Sequence, residues 1–140
     1  VPHCMASSNR ADPPGEQLTE REREALHEVE LGLECLLRAQ GHLVEFHHAT
    51  GHGIDHLAAA EDLFREAGHD DLADRIRDRH LPVGVTDDGR WSYAVLEGFQ
   101  EGMLADVEAF EERARNSLAD GQRHVTERRQ EREWRDRARE

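Results

Sequence analysis

The chain has 140 residues and a formal net charge of −13, and its 18 cations are all Arg, with no Lys. That length suits one domain rather than two, and no apolar run approaches the ~18 residues that a membrane-spanning helix needs. Two Cys cannot build a disulfide scaffold, and the acidity argues against general nucleic-acid binding by the main body.

Close to half of the residues are Ala, Glu, Leu or Arg, whereas Val, Ile and Thr together make up a tenth. That balance belongs to long or paired helices rather than sheets. Leu, Ile, Val and Phe amount to only a fifth of the chain, so a small apolar inventory must be used efficiently or shared with a second chain. Residues 1–15 lack the basic-then-apolar pattern of a signal peptide, and Asp12-Pro13-Pro14-Gly15 marks them as a flexible lead-in. The cytoplasm is the default expectation. A helical bundle domain is expected over 16–120 and a charged helical extension over 121–140.

Thr19, with Glu22 three residues on, predicts a capping box at the start of the first helix, and Glu20, Glu22 and Glu24 suit its positive end. Leu26, Val29, Leu33, Leu36, Leu37, Leu43, Val44 and His47 then recur on one face, and Gly51, Ile54 and Ala58 continue the stripe. Gly51 and Gly53 flank His52, which predicts a kink or break there. Gly68 is placed to end the segment. Asp70 or Asp71 is expected to cap a short third helix, with Leu72 and Ile76 inward and Leu81-Pro82 ending it. Residues 83–90, with Asp87-Asp88-Gly89, read as a turn-rich loop.

The last long helix is expected to start at Ser92, with Trp91 and Leu96 as a hydrophobic staple around that cap. Its stripe is Leu96, Phe99, Met103, Val107, Phe110, Ala114 and Leu118, with an interruption at Asp120-Gly121. Together these elements predict an all-α fold: an antiparallel helical bundle with two long helices and a shorter helical pair between them.

Histidine is in excess. His42, His47, His48, His52 and His56 fall within fifteen residues, and neutral imidazole is the commonest nitrogen ligand for transition metals. Glu45 and His48 form a Glu-x-x-His pair, and His48 with His52, or His52 with His56, stand one helical turn apart, so Glu45, His48, His52 and His56 are candidate ligands for a divalent transition metal. One ion cannot take all four, because they cover about 16 Å of helix. A site there needs donors from another helix, with Glu97, Glu101 and Glu108 available. A solvated His-rich face would present the same pattern, and both readings stay open. Glu24-x-x-His27 near the helix start is a second, weaker match. His47 reads as a core histidine bonded to a carboxylate or backbone group, and Cys35 as a small buried thiol. No residue set reads as catalytic.

The last 20 residues carry +2 against −15 for the other 120. An Arg tract with Trp134 suits nucleic acid, but Glu131–Arg135, Glu133–Arg137, Arg132–Asp136 and Arg129–Glu133 are each one turn apart, as on a salt-laced solvated helix. The absence of Lys beside abundant Asp and Glu matches proteins of salt-accumulating archaea, and a high-GC genome produces the same exchange of Lys for Arg. At Gly89-Arg90-Trp91-Ser92-Tyr93 and over His124–Arg135 the chain resembles small all-helical proteins of haloarchaea, along residues 16–140. The resemblance implies a cytoplasmic protein and carries over no functional residue. The expected role is helix–helix association, as a homo-oligomer or with a partner; metal binding through residues 42–56 and nucleic-acid association through 121–140 are the alternatives.

Overall fold

The computed structural model describes residues 18–139. The lead-in expected over residues 1–15 lies outside them. Every regular element among the described residues is helical: α1 Glu20–Glu66, α2 Asp70–Arg75, α3 Ser92–Phe99, α4 Ala105–Ala119 and α5 Val125–Arg137. Two π-helical turns, Ile76–His80 and Gln100–Leu104, extend α2 and α3. The residues fall into two compact units, one made of the chain up to Cys35 together with Asp106 onward, the other of Leu36–Ala105.

The capping box forms. The Thr19 amide donates to Glu22 Oε1 at 2.9 Å, and the Glu22 amide donates to Thr19 Oγ1 at 3.1 Å, so two of the free amides at the α1 start are satisfied reciprocally. At the other end Gly68 takes φ +84°, with His69 N donating to Phe64 O and Gly68 N to Arg65 O. That is the Schellman closure that a glycine at this position permits.

The kink expected at Gly51-His52-Gly53 is absent: α1 runs unbroken from Glu20 to Glu66. The glycine penalty is paid in an otherwise favourable helix rather than relieved by a break.

The first unit has its core where α1 begins. Leu26, Ala119 and Val125 are buried together, with Leu18 and Ala114 partly buried against them. Here α1 and α5 run antiparallel, since Glu30 meets His124 while Glu20 meets Arg129. Within α4, Glu111 is only 2% exposed and is gripped by Arg115 through two hydrogen bonds of 3.0 and 3.3 Å. Cys35, expected as a buried thiol, is exposed.

In the second unit Ala73, Ile76 and Leu104 are buried. Ile76 is inward as expected, but Leu72 is exposed, and neither Asp70 nor Asp71 caps α2; His69 holds the cap position and both acids lie in the first turn. α1 and α3 are antiparallel within this unit, joined by the His47 Nδ1–Ser92 Oγ hydrogen bond at 2.7 Å and by Gln100 Nε2 donating to Gln40 Oε1 at 3.2 Å. Ser92 opens α3 as expected, yet its buried hydroxyl serves His47 rather than the helix amides, and Trp91 is the cap residue. Residues 83–90 form the expected loop. It closes through Val85 N donating to Arg90 O and Arg90 N to Thr86 Oγ1. Gly84 (φ +77°) is required there, because a Cβ would stand 2.5 Å from Arg90 O.

Past Phe99 the stripe drawn through the last long helix holds only in part: Val107, Ala114 and Leu118 are half-buried as expected. Met103 and Phe110 are each 57% exposed, while Leu104 and Glu111 are buried. The π turn at Gln100–Leu104, centred on the non-helical Gly102, inserts an extra residue into one turn. Leu104 rather than Met103 is therefore buried at the turn, and in α4 Glu111 and Ala119 are buried while Val107, Ala114 and Leu118 are half-buried. The interruption at Asp120-Gly121 is present, with positive φ at Asp120, Gly121 and His124.

Candidate functional site

Two local features build the most chemically distinctive place in the first unit. The left-handed turn that ends at His124 (φ 61°) aims the His124 backbone amide, at the start of α5, toward α1. Glu30 of α1 meets it, and its two carboxylate oxygens accept that N–H at 3.2 and 3.3 Å. A side chain of one helix thus satisfies the N-terminus of another, whose positive dipole end favours a carboxylate. Glu30 is 8% exposed. Burial pushes its carboxyl above the usual range, against the opposing pull of the His124 amide.

His27 lies one turn before Glu30 on the same face of α1, and Glu127 lies in the first turn of α5. His27, Glu30 and Glu127 each offer one ligand atom within 4.8 Å of the others. Nδ1 of His27 is buried and has no hydrogen-bond partner among the described residues; Glu127 Oε2 stands 3.9 Å from it, too far for a hydrogen bond. Outside this trio, Arg23 donates to Thr126 Oγ1 at 2.9 Å and Arg129 to Glu20 at 3.0 Å, fastening α5 to α1.

Comparison with protein-family models, with curated proteins and with solved structures finds no match. No helix among the described residues is long and apolar enough to cross a membrane.

Glu45, His48, His52 and His56 are all exposed on α1 in the second unit. Because α1 is unbroken, the three histidines keep their one-turn spacing. Glu97 and Glu101 are exposed in the same unit and Glu108 in the other. Among the described residues, the group of three or more donors that the fold assembles is His27, Glu30 and Glu127, and it shares no member with that set. His47 is half-buried, and its partner is a hydroxyl rather than the expected carboxylate or backbone group. The sequence pairs His27 backwards with Glu24, whereas the fold brings it together with Glu30, one turn forward, and with Glu127. The i,i+3 spacing was a readable signal, whereas nothing in the sequence linked position 27 to position 127.

The unbroken α1 carries one more feature in the second unit. Phe46, Thr50, Gly53, Leu57, Ala60 and Phe64 follow one another at alternating four- and three-residue steps, the spacing of a coiled-coil seam. Phe46 and Leu57 are exposed, and Thr50, Ala60 and Phe64 are half-buried.

Proposed function

We propose that the chain works through helix–helix association, forming a homodimer whose seam is the row Phe46, Thr50, Gly53, Leu57, Ala60 and Phe64 of α1. The observation that carries this reading is the exposure of Phe46 and Leu57 on that row, in a unit where Ala73, Ile76 and Leu104 are the buried apolar residues. Pairing with a second copy would remove the row from water and supply the burial that so few internal residues provide. In this reading the chain is a cytoplasmic protein of concentrated salt. Its two long helices and shorter intervening pair form an antiparallel bundle, and the seam is a short coiled coil.

Light scattering of the full chain in dilute and molar KCl tests it. The expected mass is twice the 16.0 kDa of one chain. Phe46→Glu and Leu57→Glu should each give a monomer with helicity retained. A native chain that is monomeric at every salt concentration, with full helicity, overturns the proposal.

For the tail, ion pairing supports a salt-laced helix over a nucleic-acid surface. Arg129 pairs with Glu20 and Glu133, and Arg135 with Glu131 at 2.6 Å, so these guanidinium groups already have carboxylate partners. For metal binding through Glu45, His48, His52 and His56, the supporting observation is the unbroken one-turn spacing of the histidines on α1.

A further inference from the structure

We propose that His27, Glu30 and Glu127 form a divalent transition-metal site that ties α5 to α1. The donor set is one imidazole and two carboxylates from two elements, with ligand atoms within 4.8 Å of one another. One nitrogen and two anionic oxygens suit zinc and its first-row neighbours, which take His and Glu together; magnesium and calcium prefer all-oxygen shells. Ligand atoms around a tetrahedral ion lie roughly 3.4 Å apart, given metal–ligand bonds of about 2.1 Å. The 3.9 Å between His27 Nδ1 and Glu127 Oε2 is close to that spacing.

The second, independent sign is His27 itself. Its Nδ1 is buried and lacks a hydrogen-bond partner among the described residues, a costly state for an imidazole nitrogen that a cation would resolve. Glu30 arrives already oriented, because the His124 amide holds both its oxygens; such outer contacts fix a ligand before the metal binds. Three protein ligands leave a coordination position for water. The site uses none of the residues of the dimer seam and does not depend on that reading.

The test uses the untagged full chain, stripped with chelator and titrated calorimetrically with Zn²⁺, with Co²⁺ absorption as a report of coordination geometry. The expected result is one equivalent of Zn²⁺ per chain, with a rise in melting temperature that chelator reverses. His27→Ala and Glu127→Gln should each weaken binding by 100-fold or about that, with helicity unchanged by circular dichroism. Glu127 is exposed, so its substitution does not threaten the fold. The triple variant His48→Ala, His52→Ala and His56→Ala should keep the full equivalent. The proposal is overturned by no binding tighter than millimolar, by one-equivalent binding that survives His27→Ala and Glu127→Gln, or by loss of binding in the triple variant.

Discussion

Thr19 and Glu22 hold the first turn of α1 through reciprocal hydrogen bonds. The bond from the Thr19 amide, with the Thr19 side chain beside the carboxylate, keeps the Glu22 carboxyl below its ordinary value of 4.5. A depressed folded value means that the ionised cap stabilises the fold above pH 4.5, and that this contribution is lost as pH falls through the folded value. Thr19→Ala should cost about 1 kcal/mol near neutral pH, and Glu22→Gln should flatten the acid limb of stability against pH; urea denaturation at a series of pH values measures both. Glu111 sets a larger stake. It is buried with Arg115 as its ion-pair partner at 3.0 Å, and Arg115 also donates to Gly121 O at the turn into α5. Arg115→Met strands a buried carboxylate and should cost about 3–5 kcal/mol, whereas Arg115→Met with Glu111→Met should recover most of that loss. Denaturant midpoints of the single and double variants decide it.

Along α1 the glycines read as breakers but behave as passengers. A Cβ at Gly51 or Gly53 would meet nothing within 4 Å, and both lie in regular helix. Gly51→Ala should therefore raise stability by up to about 1 kcal/mol, seen as a higher urea midpoint with an unchanged slope. A lower midpoint would show that the helix needs its flexibility there. The opposite lesson comes from Gly102, where a single π turn upsets the register and Leu104 rather than Met103 is buried. Hydrophobic period alone assigned Met103 and Phe110 inward because it assumed 3.6 residues per turn throughout. A π turn depends on packing around it and leaves no periodic trace.

At the scale of the whole chain, a small apolar inventory favours pairing with a second copy and a net charge of −13 opposes it. Two such chains repel one another in dilute salt, and the screening length falls from about 10 Å at 0.1 M to about 3 Å at 1 M. The proposed dimer should accordingly strengthen from dilute to molar KCl, the trend that the light-scattering series reads, and Leu57→Glu should abolish it. The sequence by itself determined the helical state, the capping box at Thr19, the stop at Gly68, the loop over 83–90 and the interruption at Asp120-Gly121. Each of these follows from residues within a few positions of one another, where backbone preference and local hydrogen bonding decide. Only the tertiary structure decided that His47 meets Ser92, that Glu111 is buried, and that His27 and Glu30 stand beside Glu127. Helical period gives the angle at which a side chain leaves its rod but not which rod lies opposite, and partners a hundred residues apart are set by packing.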